Sequence, residues 1–472
     1  MTRPKAEEPE TVAGDRGSLC DRLSPGKMSF IKLKKAIPWA MKGGLAIADQ
    51  GLITGSNFAL GVFLARWLSR EQYGAFALGF SIFLLLGVLY QALLLEPMTV
   101  FGGSVYHEHL RCYLSVLLRI HLFVALGIFL VLGVAAVVAG MAGQAGGLPG
   151  ALAGAALASP CILLFWLARR TFYLQLSSAF AVAAAFLYCV VFLAGLFLAH
   201  GSGSLSPFTA FLLLGAGGLL SGALLLMCLR SRLEASTIAL HLREIWKRHW
   251  NYGRWALASA GAMWIPSNIY YLLVSSFSGV EKAGELRALM NFAAPVQQTH
   301  IALSLLLLPY AARVQRQGAC AGSLTWKIVL LCVSGAVVYW IMVVLLSPEP
   351  VFHLLYADKY LDVVPLVPIV GLASIIGSAF FGPAIALRAM ESPKSVFVAQ
   401  CVSSLFCLTF GVPATWALGV RGAVWSMAIS EALAVVVVVL QLRAKVRSAS
   451  CGLGSPLLPS TQLPTFRPVS TK

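Results

Sequence analysis

Twelve apolar runs decide what this chain can fold into. They lie near residues 43–65, 75–96, 113–140, 148–168, 178–200 and 207–229, then near 254–277, 286–312, 326–347, 362–386, 395–417 and 421–442. A helix needs roughly 20 residues to cross about 30 Å of hydrocarbon. In lipid every backbone N–H and C=O must find a partner within the protein, which only helices and closed barrels achieve. The alternating pattern of barrel strands is absent. The expectation is therefore an all-α polytopic membrane protein with about 12 transmembrane helices. The surface chemistry agrees. Only 11% of residues are charged and 59% are hydrophobic, with a mean hydropathy of +0.83, whereas a soluble domain carries about 25% charged residues.

Two stretches of the chain, 211 residues apart, share one pattern. The first runs from Asn57 to Ala65-Arg66, through a polar turn ending Tyr73-Gly74, to an apolar run ending Leu95-Glu96-Pro97-Met98. The second runs from Asn268-Ile-Tyr-Tyr271, through a turn ending Ala283-Gly284, to Leu307-Leu308-Pro309-Tyr310. A duplicated apolar hairpin points to a two-lobed transporter that holds its substrate between the lobes. The boundaries expected are a disordered cytoplasmic tail over 1–28, an N-lobe over 29–229 and a basic amphipathic segment over 230–253. A C-lobe over 254–442 and a second tail over 443–472 follow. No cleavable signal peptide is read ahead of the first span. Pro97 and Pro309 are expected to end their hairpins.

The net charge of +17 is explained by topology rather than by nucleic acid. Of the 35 Lys and Arg, 29 fall on the tails and even-numbered loops and 6 on the odd-numbered loops. This asymmetry places both termini in the cytoplasm. Ser29 to Lys42 and the 230–253 segment mix basic with aromatic residues, as helices lying on the inner leaflet do. The second of these is a tether between lobes or a guide for lipid headgroups. Gly51-x-x-x-Gly55 and Gly218-x-x-x-Gly222 permit close helix packing.

Ten cysteines are scattered, mostly within spans, and behave as small packing residues. His107-Glu108-His109 reads as an ordinary loop, so no metal site is expected. P-loop and nucleophile-elbow patterns are absent. No cofactor motif and no enzyme chemistry are read.

Polar residues inside the membrane carry the functional signal, because a charge near the midplane costs at least about 2.5–3.5 kcal/mol. Asn57 and Asn268 occupy matching repeat positions. Asp49, Glu96 and Glu431 are ion-coupling candidates. Arg66, Arg119, Arg169, Arg170, Arg254, Arg287, Arg313 and Arg388 outnumber them, each a snorkelling anchor or a ligand. That balance suits an anionic substrate such as a diphosphate. Gln297, Gln298 and His300 suit sugar hydroxyls or interhelical bonding. The substrate-binding candidates are Asn57, Arg66, Arg119, Arg254, Asn268, Arg287, Gln297 and Gln298.

The segment Asp49-Gln-Gly-Leu-Ile-Thr-Gly-Ser-Asn57, followed by Ala65-Arg66-Trp-Leu-Ser-Arg-Glu-Gln-Tyr73-Gly74, resembles the opening hairpin of the Wzx-type polysaccharide-biosynthesis flippases. These belong to the MATE/oligosaccharidyl-lipid/polysaccharide (MOP) transporter superfamily. His249-Trp-Asn-Tyr-Gly-Arg-Trp255 and Gly284-Glu-Leu-Arg-Ala-Leu289 look like the second lobe of that group. The resemblance implies two parallel-repeat six-helix lobes forming a V-shaped cleft, and alternating access. It also implies transport of an undecaprenyl-diphosphate-linked oligosaccharide across a bacterial inner membrane for exopolysaccharide, capsule or O-antigen assembly. Implied partners are the lipid-linked oligosaccharide, membrane lipids and other glycan-assembly proteins. Span one is expected to pair with span seven, and two with eight, as the gate. A MATE-type cation-coupled exporter of small molecules and a non-transporting scaffold remain rivals.

Overall fold

The computed structural model describes residues 25–451 apart from 104, 107, 144–146, 176, 233–240, 317–320, 347 and 391. Every expected run is a helix, and among the described residues there is no strand. The N-terminal half holds α1 (Pro25–Trp67) and α2 (Arg70–Tyr90), which passes through a π turn (Gln91–Leu95) into α3 (Glu96–Gly103). Then come α4 (Leu110–Met141), α5 (Leu148–Leu174), α6 (Ser178–Gly201) and α7 (Pro207–Arg232). The C-terminal half holds α8 (Leu242–Ser278), α9 (Val280–Asn291), α10 (Ala294–Arg316), α11 (Ala321–Leu345) and a short α12 (Pro348–Tyr356). A 3-10 turn (Leu361–Leu366) leads into α13 (Val367–Ala389). α14 (Pro393–Phe406), a second π turn (Cys407–Gly411), α15 (Val412–Leu418) and α16 (Val420–Cys451) complete it.

The expected tails lie mostly outside the described residues, but helix covers more of them than anticipated. α1 begins at Pro25, and α16 runs on through 443–451. Of the basic segment over 230–253, residues 233–240 fall outside the described residues, and the remainder is helical at the end of α7 and the start of α8. The additional helix α12 was not anticipated.

Prolines here lie within helical segments rather than end them. Pro97 has no N–H, so the Leu93 carbonyl lacks its helical donor. The π turn just upstream absorbs the misfit, and helix continues to Gly103. The expectation that Pro97 stops its hairpin is thus corrected, and Pro309 likewise sits inside α10. Pro266 inside α8 frees the Ala262 carbonyl, which the Ser404 hydroxyl takes at 2.5 Å. Pro295 opens α10 after a break at Phe292–Ala293.

Small residues set the tightest packing. A Cβ on Gly218 would meet Ile162 Cα at 3.0 Å, and one on Gly222 would meet Phe165 N at 3.1 Å, so α7 lies directly on α5. Gly51 and Gly55 have nothing within 4 Å, and the packing role expected of them is not present. Between the halves, α1 packs on α9, α10 and α12, while α2 packs on α8 and α9. Span one therefore packs chiefly on span eight, and span two packs on both seven and eight. Crossed pairing of this kind follows when two similar hairpins face each other across a two-fold axis.

Candidate functional site between the halves

Among the described residues, nine helices are long and apolar enough to cross a membrane. α1, α8 and the α9–α10 pair are not among them. These are spans one, seven and eight, three of the four that meet across the halves. Their lower hydropathy reflects polar residues that lipid would not tolerate but a protein-lined face does.

At one end the halves are clasped. α2 starts with a capping box. The Ser69 hydroxyl accepts from Gln72 N at 3.1 Å, and Gln72 Oε1 accepts from Ser69 N at 3.3 Å. This fixes Arg70, whose guanidinium lies 3.7 Å from Glu281, 3.6 Å from Glu285 and 3.5 Å from Asp362. Lys282 adds contacts to Glu285 at 2.7 Å and Asp362 at 3.6 Å. One turn further along, Tyr73-Gly74 and Ala283-Gly284 lie inside α2 and α9 rather than in the turns, and there the helices cross. Asn291 donates to the hydroxyls of Tyr73 at 3.1 Å and Tyr356 at 3.3 Å.

Arg66 joins this clasp. Its guanidinium donates to the Leu354 carbonyl of α12. Lys359 returns the contact by donating to Arg66 O at 2.8 Å and Leu68 O at 2.6 Å, so it caps the last carbonyls of α1. Burial, and then the Arg70 charge, hold the Lys359 ammonium below its ordinary range. The loop that presents Lys359 has three left-handed residues, Ala357, Asp358 and Tyr360. Such backbone persists only where its surroundings over-determine it.

Deeper between the halves lies Arg287. It is flanked by the rings of Phe80 from α2 at 5.2 Å and Tyr271 from α8 at 5.7 Å. The polar groups nearest its charge are the hydroxyls of Tyr271 and Tyr73. No carboxylate pairs with it among the described residues. Toward the opposite end, Thr54 of α1 donates to Gln298 of α10 at 3.1 Å, and Gln50 donates to Thr54 at 3.4 Å. Asn57 and Gln297 are exposed. Asn268 is half-buried and bonds within its own helix, to Trp264 O at 3.4 Å. His300 is committed elsewhere, against Phe381 and the Cys332 carbonyl.

At the far end Asp49 is fully buried. Arg169 Nε donates to its two oxygens at 3.0 and 2.9 Å, a second guanidinium nitrogen also reaches it, and the Tyr173 hydroxyl donates to it as well. Glu96 is half-buried and feels the Arg170 charge, while Arg170 itself bonds Thr99 at 3.0 Å. Arg119 is exposed on the same stripe of α4 as Leu122, Phe123 and Leu126, the face that lipid covers. Arg254 is exposed near the start of span seven. Glu431 stands between α13 and α16. A Cβ on Gly377 would come within 3.1 Å of its carboxylate. Among the described residues it has no hydrogen-bond or ion-pair partner. Thus Asn57, Arg287, Gln297 and Gln298 share the helices between the halves, whereas Arg119 and Glu431 stand apart from them.

Sequence reasoning quoted Tyr73 and Tyr271 as parts of the repeat but gave them no role. His249 likewise entered only as part of a motif, and Asn291 and Tyr356 carried no reading. The signal for the tyrosines was their place in the repeated motifs, Tyr73 beside Gly74 in the first copy and Tyr271 three residues after Asn268 in the second.

No protein-family description matches the chain, and no curated protein matches it. Solved structures do. A multidrug resistance MATE family transporter of the MOP superfamily, in an inward-facing conformation, is similar at a TM-score of 0.68 and 15% identity, covering 86% of this chain and 96% of that one. The lipid II flippase MurJ, in an inward closed conformation, is similar at 0.62 and 13% identity, covering 84% and 87%. A MATE protein in a straight conformation gives 0.63 at 13% identity, covering 88% and 96%. The chain has the polytopic helical fold of MOP superfamily transporters.

Proposed function

We propose that the chain is a flippase for an undecaprenyl-diphosphate-linked oligosaccharide, moving it across the bacterial inner membrane by alternating access. The observation that carries this reading is Arg287, an arginine between the halves with no acidic partner among the described residues. A diphosphate completes such a site through bidentate hydrogen bonds. Asn57, Gln297 and Gln298 supply hydrogen bonds of the kind sugar hydroxyls use. With both termini cytoplasmic, the clasp around Arg70 lies on the outer side. Its release and re-formation then alternate access to Arg287, while the lipid tail stays in the bilayer.

One of the acids that a small-cation exporter would use is already taken, since Asp49 is held by Arg169 and Tyr173. One observation favours the exporter as a second reading, namely that Glu431 is unpaired among the described residues. Glu431→Gln combined with uptake assays of organic cations separates the two.

The test is reconstitution with a polyprenyl-diphosphate oligosaccharide and measurement of its appearance in the opposite leaflet. Arg287→Gln is expected to lower the rate about 10- to 100-fold, the value of one charge-assisted hydrogen-bonded contact. Arg287→Lys recovers only part, because lysine lacks the fork. Wild-type rates in Arg287→Gln would overturn the reading.

A further inference from the structure

The first turns of α8 have two faces with different chemistry. On one face Ile245, His249 and Gly253 are buried. The carbonyl of Leu93 can only accept, so His249 Nδ1 donates to it at 3.1 Å. His249 Nε2 then accepts from the Tyr113 hydroxyl at 2.7 Å. The Leu93 carbonyl is the one left without a helical donor by Pro97. A Cβ on Gly253 would sit 2.8 Å from Ala92 O. Arg248 lies over the rings of Phe101 at 6.0 Å and Tyr106 at 5.7 Å. These contacts stop the segment from rolling about its axis.

The other face is consequently held in place, and it carries Arg243, Lys247 and Trp250. All three are exposed, Trp250 at 45%. They recur at spacings of four and three residues, which puts them on one stripe. Glu244 is the only acid among residues 242–254, against Arg243, Lys247, Arg248 and Arg254. Neither Arg243 nor Lys247 has an acidic partner among the described residues. Trp246 and Trp250 lie 6.3 Å apart by ring centroid, and indoles favour the level of the headgroups.

We propose that this stripe is a docking surface for anionic phospholipid headgroups. Arg243 and Lys247 take the headgroup phosphate, and Trp250 sits beside the glycerol region. A basic residue near an anionic leaflet contributes enough that removing two weakens headgroup association about thirtyfold. The occupant is a bilayer lipid rather than free phosphate, because the stripe is at the mouth of a spanning helix and pairs its charges with an indole.

The test uses the full chain in nanodiscs of phosphatidylcholine, with and without phosphatidylglycerol, and reads thermal stability. Wild type is expected to gain stability with phosphatidylglycerol. Arg243→Gln/Lys247→Gln loses that gain, and 0.5 M salt abolishes it in wild type. Arg443→Gln/Lys445→Gln, an exposed basic pair on α16, keeps it. Soluble glycerol phosphate gives no gain. The proposal is overturned if wild type shows no gain, if both pairs lose it equally, or if glycerol phosphate reproduces it. If the Arg243/Lys247 variant does not fold, the salt and glycerol phosphate arms on wild type decide. Substrate translocation enters none of these readouts, so the result is independent of the transported molecule.

Discussion

Gly74 and Gly284 face each other where the two copies of the repeat cross. A Cβ on Gly74 would lie 1.9 Å from the Val280 carbonyl oxygen, and one on Gly284 would lie 3.2 Å from the Cα of Gly74. Neither site has room for a methyl group. Gly74→Ala or Gly284→Ala therefore pushes α2 and α9 apart. Overpacking of this kind costs about 1–3 kcal/mol, and it falls on the clasped state alone. Spin labels at Glu71 and Glu281 are expected to show a larger population of long distances in either variant. Unchanged distance distributions would show that the crossing does not hold the clasp shut.

The ion-pair fan around Arg70 makes a graded prediction. Glu281 is largely accessible, with 46% of its side chain exposed, and exposed pairs contribute about 0–1 kcal/mol. Glu285 has only 2% exposed and faces both Arg70 and Lys282. Glu285→Gln leaves those two cations without their buried partner and is expected to cost about 1.5–3 kcal/mol. Thermal unfolding in detergent should rank Glu285→Gln well below Glu281→Gln. The opposite order would place the strength of the clasp elsewhere.

Much of this was legible from sequence. The spans and the repeat follow from hydropathy and from the doubled Tyr73-Gly74 and Ala283-Gly284 motifs, and the expected parallel sense of the repeat follows from the placement of Lys and Arg. What sequence could not give was partnership. Asp49 reads as a free intramembrane acid until Arg169 and Tyr173, more than a hundred residues away, are placed beside it. Arg119 and Arg287 look equivalent on paper, yet one lies on a lipid-facing stripe and the other between the halves. The helical phase relative to neighbours decides this, and no single span reveals it. The pairing of span one with eight was missed because a repeat fixes which helices correspond, not which ones touch. α12 was missed because its nine residues are too few to register as a run of their own.

Asp49 tests whether that acid is structural or coupling. Asp49→Asn strands Arg169, and breaking a buried pair from one side costs about 3–5 kcal/mol. Removing both partners relieves that penalty. In a double-mutant cycle of Asp49→Asn and Arg169→Gln, the stability losses are expected to be non-additive by at least about 1 kcal/mol in the favourable direction. Additive losses would show that the two side chains do not act as a pair. If transport recovers together with stability, coupling by Asp49 is excluded.

The π turn in span two yields a prediction that distinguishes cause from coincidence. Pro97 leaves Leu93 O without a helical donor, and His249 Nδ1 fills the place at 3.1 Å. His249→Phe removes that donor and also the acceptor of the Tyr113 hydroxyl, so the loss is expected to be about 1–3 kcal/mol per buried group left unpaired. Pro97→Ala restores an N–H that can reach Leu93 O along its own helix. In the Pro97→Ala background, then, His249→Phe should cost less, by about the value of one unmade buried hydrogen bond. Thermal unfolding of the four proteins in the cycle measures this directly. Equal costs in both backgrounds would mean that His249 holds α8 by packing alone. A smaller cost would mean that one proline in span two created the acceptor by which span seven is held to the other half.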